Sequence, residues 1–431
     1  MRTGVNQAND QRTLLIDKIL FALVLLYGSR AWIYPYDVQT QLEIDAPLIF
    51  QFQIFAQLLG LVGIFRLGPV KIVHTASNWL MLWALVGLGA ISYFWSVTPF
   101  NTFGMARAMI LTLLSCMYFG RAMRSEDIMK VASFVISSII IASVILAIVS
   151  PYGRSEGAHL GSWRGLYSHK NGFGEAASIA MIFFGTRILY ANKFISWWSI
   201  VFLVSMVCCF FSDSANSMGS ALAGLTGVAM VKASKAVFRG RVARQTLFFA
   251  IFFVVILLIY FVAVDLVLSL GRDLTFTGRT RIWSFYMNYV EQRPALGWGW
   301  TSSAANEVFV QNLRDFLDLP YIRSAHSAYI TMLVELGYFG LTLYAAWLLS
   351  TLFGAFGKAS RDNDELSLVC GAMCTGMITF GFFEVSGGFI PSLWLILVVT
   401  CTVSRKFSAR RVGADVADDV IRTLGRRKVN M

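Results

Sequence analysis

Charged residues are scarce in this sequence. They make up 14% of its 431 residues, whereas a soluble domain carries about a quarter. Hydrophobic residues reach 57%, and apolar stretches of about 17 residues or more recur along the chain, as in helices that cross a bilayer. This composition excludes a soluble globular protein. It predicts an all-α polytopic membrane protein that forms a single integral membrane domain over residues 1–431.

The sequence also lacks the cysteine and histidine patterns of a disulfide framework or a zinc site. Its six cysteines lie within or at the ends of apolar segments, so we expect buried free thiols. No His/Cys cluster has zinc spacing, and the acidic residues of the predicted outer loops show no paired pattern. We therefore expect no metal and no cofactor. Residues 1–13 are polar and no cleavage pattern follows them, so we expect no cleaved signal peptide.

Apolar segments of helical length predict about twelve transmembrane helices. The eighth segment is short and rich in glycine, which predicts close packing against a neighbouring helix. A large loop separates the ninth segment from the tenth. The segments cover residues 14–34, 47–65, 77–95, 103–120, 128–149, 172–189, 194–211, 217–231, 247–268, 327–353, 366–383 and 389–403.

Basic residues alternate from loop to loop. The two termini and every second loop carry lysine and arginine, whereas most loops between them are short or acidic. The positive-inside rule then places both termini in the cytoplasm, with residues 404–431 as a basic cytoplasmic tail. The net charge of +12 reflects this topology and an attraction to anionic lipid heads. Because the basic residues are scattered over many loops, we expect no binding of nucleic acid.

Two loops on the predicted outer side break this alternation. Residues 150–171 and 269–325 carry several arginines, Arg323 among them, where the positive-inside rule disfavours them. We interpret this excess as the sign of an anionic ligand. The alternative is a pair of solvated loops that meet lipid phosphates.

The large loop, residues 269–325, has helical patterning of its own. Apolar residues recur with helical spacing over residues 280–292, which predicts one helix with its apolar face on the membrane surface. Pro294 ends this helix, and residues 303–316 predict a second, shorter one. Trp298 lies in the glycine-aromatic turn between them and is a candidate for stacking on a sugar or for anchoring at the interface. The loop is therefore predicted to form a helical periplasmic subdomain.

Arginines and helix N-termini are both suited to phosphate groups. The arginine fork binds phosphate oxygens in pairs, and a helix N-terminus attracts anions. Both effects meet at Arg279, at the start of the predicted surface helix. Arg281 cannot point the same way, because it lies only two residues further along a helix. We expect it to be a second contact or a membrane anchor.

The loop 150–171 ends in a similar helix start. Asn171 is a suitable N-cap for the sixth helix, and Arg164, His169 and Lys170 precede it. These four residues are candidates for binding an anionic substrate. A glycine-rich helix start with ordinary flanking charges is the alternative.

Three further polar residues lie in or beside the apolar segments. His326 marks the start of the tenth segment, and a neutral imidazole can act as a general base. On its own, a histidine at such a place is more often a boundary residue. Glu335 and Arg107 lie inside predicted spans, where ionisable groups are functional candidates. A helix-packing hydrogen bond is an equal alternative for Glu335.

Three sequence blocks occur in an order that resembles the O-antigen ligase and polysaccharide polymerase superfamily. They are residues 164–174 (RGLYSHKNGFG), residues 277–283 (TGRTRIW) with 294–299 (PALGWG), and residues 326–329 (HSAY) with 335–341 (ELGYFGL). The Ser-His-Lys-Asn form of the first block is most similar to ExoQ-type exopolysaccharide polymerases. Ligases of the superfamily more often have proline where this chain has Lys170.

The resemblance implies a GT-C-like membrane glycosyltransferase in the bacterial inner membrane. It would polymerise undecaprenyl-pyrophosphate-linked oligosaccharide repeat units into exopolysaccharide on the periplasmic face, by metal-independent inverting transfer. His326 matches the family's catalytic loop histidine, and Arg164 and Arg279 match its two key arginines. The expected partners are this lipid-linked substrate, membrane lipids, and proteins that regulate chain length and export the polymer.

Two other functions compete with polymerisation. An O-antigen ligase would share the whole site and transfer the glycan to a lipid A core or another acceptor. A flippase or other transporter of lipid-linked oligosaccharide belongs to a different class and typically has charged residues at the membrane midplane and internal repeats. The spans here are nearly free of charge and show no clear repeat, which favours an enzyme.

Overall fold

A computed structural model describes residues 2–31, 36–37, 42–43, 58, 62, 65–66, 68, 79–155, 160–237, 276–320 and 322–404. The predicted span 247–268 and the basic residues 405–431 lie outside these ranges, and only three residues of the predicted span 47–65 lie within them. The count of twelve transmembrane helices therefore stays a prediction.

The described part of the chain is largely helical. The helices are α1 (Arg2–Ser29), α2 (Leu80–Ile91), α3 (Pro99–Ala122), α4 (Ser125–Val149), α5 (Lys170–Ala191), α6 (Trp197–Phe211), α7 (Ala215–Val237), α8 (Phe276–Gln292), α9 (Ser302–Ala305), α10 (Glu307–Leu317), α11 (Ala328–Asp362), α12 (Glu365–Gly381) and α13 (Leu393–Ser404). Three short 3-10 turns cover Ser92–Phe94, Pro151–Gly153 and Val385–Gly387, and the two-residue strands β1 (Tyr36–Asp37) and β2 (Leu42–Glu43) pair antiparallel.

Four described helices, α3, α4, α5 and α11, are long and apolar enough to cross a membrane. Helices α2, α6, α12 and α13 are shorter but also apolar. All eight coincide with predicted spans, which fits the expected helical membrane protein. All six cysteines are buried thiols that form no disulfide, as predicted. Among these eight helices, α11 deviates most, because it extends to Asp362 instead of ending at residue 353. Asn363 adopts a left-handed conformation and caps the helix.

Helix α7 packs closely against its neighbours through glycine. A Cβ added to Gly224 would contact the side chain of Ile182 in α5 at 2.8 Å and the carbonyl of Ala372 in α12 at 3.0 Å. A Cβ added to Gly227 would lie 2.8 Å from Phe356 in α11. The predicted close approach is confirmed, and α7 is longer than the predicted segment 217–231. These contacts join the helices into one buried core.

The loop subdomain, residues 276–325, has a small core of its own. The apolar residues of α8 predicted from the helical spacing pack against α10 and the start of α11; they are Ile282, Phe285, Tyr286, Tyr289 and Val290. Phe309 of α10 contacts three of these rings at centroid distances of 4.6 to 5.3 Å. A second amphipathic helix therefore covers this face, and the position of α8 on the membrane surface stays a prediction. Burial also raises the pKa of the Tyr286 phenol, which stays neutral.

Helix α11 is broken at Gly337. This residue has φ of 65° and ψ of −166° inside an otherwise helical stretch, a conformation that is essentially restricted to glycine. A Cβ added there would overlap the backbone of Ala295. The chain segment 294–299 therefore lies directly against the break, where a side chain would leave no room for it.

The segment 294–299 satisfies the main-chain groups that the break exposes. Four hydrogen bonds join them: Trp298 N–H to Val334 O (2.9 Å), Gly299 N–H to Glu335 O (2.9 Å), Tyr338 N–H to Pro294 O (2.8 Å) and Phe339 N–H to Ala295 O (3.3 Å). Non-helical backbone at membrane depth is tolerated where protein covers it. Two of the blocks that carry the family resemblance, PALGWG and ELGYFG, are thus bonded to each other.

Trp300 fixes the same segment to the transmembrane helices. Its indole is 2% exposed and stacks on Phe389 at 5.6 Å. Its amide donates to the hydroxyl of Ser92 at 3.0 Å, and its carbonyl accepts from the hydroxyl of Thr102 at 2.7 Å. Hydrogen bonds from main-chain groups therefore attach the loop subdomain to the 3-10 turn after α2, to α3 and to α11.

Candidate active site

A carboxylate that the sequence reasoning did not select lies at the centre of the site. Glu384 follows α12 and occupies the position just before the 3-10 turn Val385–Gly387. Its side chain, 16% exposed, faces one residue from each of the three sequence blocks. These residues are Asn171, Arg279 and His326, which lie far apart in the sequence. The structure therefore brings the three blocks together around one acidic group.

His326 stands immediately before the N-cap of α11. Its φ of 48° is left-handed, which is uncommon for a residue with a side chain and recurs at functional sites. Ser327 caps the helix by accepting from the amide of Ile330, and the Trp283 indole donates to the carbonyl of Ala325 at 3.0 Å. The backbone is thus held on both sides of the histidine. His326 Nδ1 lies 3.8 Å from Glu384 Oε2.

Arg279 and Arg281 diverge from the first turns of α8, as their spacing predicts. The guanidinium of Arg279 lies 4.0 Å from Glu384 Oε1 and 5.3 Å from the ring centroid of Phe383. Arg281 donates instead to the carbonyl of Phe316 at 3.2 Å. Of these two arginines, only Arg279 faces Glu384. Arg281 connects α8 to α10 within the loop subdomain.

The start of α5 carries the third contact with Glu384. Asn171 donates through Nδ2 to Glu384 Oε1 at 2.6 Å. The N-cap is His169, two residues before the predicted N-cap Asn171, and its Nδ1 accepts from the Asn171 amide at 3.2 Å. Lys170 is buried and bound to Asp213, with Nζ 2.8 Å from the carboxylate and 3.1 Å from the carbonyl oxygen. Lys170 therefore ties α5 to the end of α6.

Arg164 is buried just before this helix start. Its Nε donates to the carbonyl of Tyr152 at 2.8 Å, and its guanidinium lies 4.8 Å from the Tyr152 ring centroid. Its Nη1 is 3.5 Å from the carbonyl of Ser168. Arg164 thus supports the loop that leads into His169, and its role toward a substrate stays a prediction.

The remaining candidates lie away from Glu384 and have other partners. Glu335 accepts from the hydroxyl of Ser303 at 2.6 Å, which agrees with the helix-packing alternative. Arg323 pairs with Glu307 at 2.7 Å. These contacts lie between the loop subdomain and the start of α11, or within the subdomain itself.

Trp298 and Arg107 are also placed outside the cluster. The Trp298 indole donates to the carbonyl of Tyr289 at 2.9 Å, and Arg293 lies over its ring at 4.1 Å. Arg107 lines an apolar cavity of about 1010 Å³ between α2 and α3, together with aromatic residues such as Phe100. Within the described ranges, no group of three or more His, Cys, Asp or Glu residues could hold a metal ion.

A second acid lies close to the cluster. Glu175, one turn after Asn171 on α5, interacts with Ser386, with Glu384 and with Arg30, which follows α1. Two carboxylates and two arginines therefore share this end of the helix bundle.

Comparisons with known proteins agree with the motif order. The family described as O-Antigen ligase matches residues 199–345, which include the second and third sequence blocks. The exopolysaccharide production protein ExoQ of Rhizobium meliloti (strain 1021) is 24% identical over 332 residues, covering 73% of this chain and 74% of the relative. The resemblance to the O-antigen ligase and ExoQ-type superfamily is confirmed. Together these similarities support a membrane enzyme of the glycosyltransferase type.

Glu384 is the functional candidate that the sequence reasoning missed. It lies at the outer end of the predicted span 366–383, on the same predicted side of the membrane as His326. The available signal was an acidic residue between two phenylalanines and two glycines, Phe382-Phe-Glu-Val-Ser-Gly-Gly388. The family match ends at residue 345, so it could not have indicated this position.

Proposed function

We propose that the protein is a polymerase of undecaprenyl-pyrophosphate-linked oligosaccharide repeat units, which it joins into exopolysaccharide on the periplasmic face of the inner membrane. The convergence of Asn171, Arg279 and His326 on one end of the helix bundle carries this proposal. A base, a cation and a helix N-terminus within one cluster are the groups that an inverting transfer from a diphosphate requires. The similarity to an exopolysaccharide production protein supports a polymerase.

The proposed transfer forms one bond and breaks one bond. An acceptor sugar hydroxyl attacks the anomeric carbon of the lipid-linked chain, and His326 takes the hydroxyl proton. The bond from that carbon to the diphosphate oxygen breaks, and undecaprenyl pyrophosphate leaves with the electron pair. Arg279 stabilises the developing negative charge, with Arg164 as the second predicted cation. Arginine keeps its charge at any working pH, so this step needs no metal.

The first experiment replaces the base. We expect His326→Ala, purified in detergent, to lose at least about 100-fold in the rate of polymer formation from lipid-linked repeat units. The matched control is Asn312→Ala, a polar residue on the exposed side of α10 that hydrogen-bonds Tyr289. Wild-type activity of His326→Ala would refute the proposed base. Activity should also survive excess chelator, and its loss would contradict a metal-independent reaction.

Ligation is the second candidate, because the matching family is described as O-Antigen ligase. The two reactions differ in the acceptor. A polymerase produces chains of increasing length from repeat units alone, whereas a ligase needs a lipid A core or another added acceptor. Transfer only to an added acceptor would identify a ligase. Scrambling of lipid-linked oligosaccharide in proteoliposomes without any glycosyl transfer would identify a transporter.

A further inference from the structure

Glu384 has the surroundings of a residue that organises a reaction centre. It is the carboxylate that Asn171, Arg279 and His326 all face. Its two oxygens have separate partners: Oε1 accepts from Asn171 at 2.6 Å and lies 4.0 Å from Arg279, while Oε2 points toward His326. Because Oε1 is already bound, the orientation of the carboxylate is fixed and Oε2 is presented to the imidazole.

The atom of the His326 imidazole that faces Glu384 is Nδ1. His326 Nδ1 is buried and has no hydrogen-bond partner within the described part of the chain, and a buried polar atom without a partner is costly. Its distance of 3.8 Å from Oε2 is longer than a hydrogen bond. Catalytic hydrogen bonds are often long before the substrate binds and shorten in the complex. A movement of about 1 Å would bring the two atoms into hydrogen-bond range.

The turn that carries Glu384 also packs closely against the start of α11. A Cβ added to Gly388 would lie 2.9 Å from the Cβ of Ala328, and one added to Gly381 would lie 3.4 Å from it. Ala328 is the first residue of α11, two positions after His326. The carbonyl of Gly387 further accepts from the Tyr344 hydroxyl of α11 at 2.7 Å. The turn that carries Glu384 is therefore fixed on the helix that begins two residues after His326.

We propose that Glu384 is a positioning residue for the transfer, which accepts the Nδ1–H of His326 and leaves Nε2 free to take the proton of the acceptor hydroxyl. This inference rests on the proposed function of His326. When the proton reaches Nε2, the imidazole becomes positive beside a carboxylate that is held in place. A carboxylate behind a histidine base orients the ring, selects its tautomer and stabilises the imidazolium.

The test compares Glu384→Gln with Glu384→Asp and with a control. The glutamine variant keeps the size of the side chain but loses the charge and the acceptor facing Nδ1. We expect its kcat to fall about 100-fold or more, with the KM for the lipid-linked donor within about threefold of wild type. Glu384→Asp keeps the charge and should recover part of kcat. Glu307→Gln makes the same chemical change at an exposed acid of α10 and should leave kcat unchanged.

A double variant distinguishes positioning from a structural role. If Glu384 acts through His326, His326→Ala/Glu384→Gln will be no slower than His326→Ala alone, because residues that act as a unit are not additive. The inference would be overturned if the two losses of kcat multiply in the double variant. An unchanged kcat in Glu384→Gln, with or without a raised KM for the donor, would overturn it as well. If His326→Ala itself is fully active, the proposed function fails first.

A second variant covers the case in which Glu384→Gln does not fold. Asn171→Ala leaves the carboxylate in place but removes its 2.6 Å hydrogen bond, so Oε2 is no longer directed at His326. We expect about a tenfold loss of kcat, and no further loss when it is combined with His326→Ala. An unchanged kcat in a folded Asn171→Ala protein would overturn the proposed orientation of Glu384.

Discussion

Gly337→Ala should damage the protein far more than its single methyl group suggests. Gly337 has φ of 65° and ψ of −166°, and holding alanine in such a region costs about 1–3 kcal/mol. The new Cβ would overlap the backbone of Ala295, which must move away. That movement breaks the hydrogen bonds from the amides of Tyr338 and Phe339, at about 0.5–1.5 kcal/mol each. The sum is a loss of about 2–6 kcal/mol.

The measurement is the thermal unfolding midpoint of the purified protein in detergent, together with its polymer-forming activity. Gly104→Ala is the matched control, because Gly104 lies inside α3 and an added Cβ meets nothing within 4 Å. We expect the control to be neutral or slightly stabilising. We expect Gly337→Ala to lower the midpoint clearly. It should also reduce activity, since the segment 294–299 follows α8 in the chain and holds it to α11 by hydrogen bonds. Equal behaviour of the two variants would refute the account of the broken helix.

Two further substitutions test the assignments of the charged residues. Arg279→Lys keeps the charge but loses the bidentate fork, so kcat/KM should fall about 100-fold, whereas Arg314→Lys in α10 should have little effect in the same assay; equal activities would argue against diphosphate binding by Arg279. Asp213→Asn leaves buried Lys170 without its carboxylate partner and should lower stability by about 1–3 kcal/mol, less than for a fully buried pair because the Asp213 side chain is 75% exposed. A thermal unfolding midpoint equal to wild type would contradict a stabilising role for the pair.

Local patterns in the sequence predicted local structure well. The helical spacing of apolar residues located α8, Pro294 marked its end, and a separation of two positions correctly sent Arg279 and Arg281 in different directions. Each of these outcomes depends on the geometry of a single helix. The sequence could not identify what covers the apolar face of α8, because that depends on where α10 folds back.

The centre of the candidate site was beyond the reach of local patterns. Glu384 is a site candidate because its side chain contacts Asn171, which is 213 positions away, and lies near Arg279 and His326. The local sequence pattern of residues 382–388 does not indicate those contacts. The motif blocks did predict which segments converge, since each block contributes one side chain to the cluster. They could not indicate the acid that joins them, because it lies outside all three.

The attachment of the loop subdomain to α11 has a consequence for sequence variation. The four hydrogen bonds between the segment 294–299 and the broken helix use only main-chain atoms. Most side chains of these two segments can therefore vary among natural sequences without weakening the hydrogen bonds between them. Gly297, Gly299 and Gly337 are the exceptions. A Cβ at Gly297 or Gly337 would overlap the opposing backbone, and a Cβ at Gly299 would overlap Ser96. Saturation mutagenesis of these two segments should therefore show broad tolerance interrupted by sharp intolerance at these three glycines.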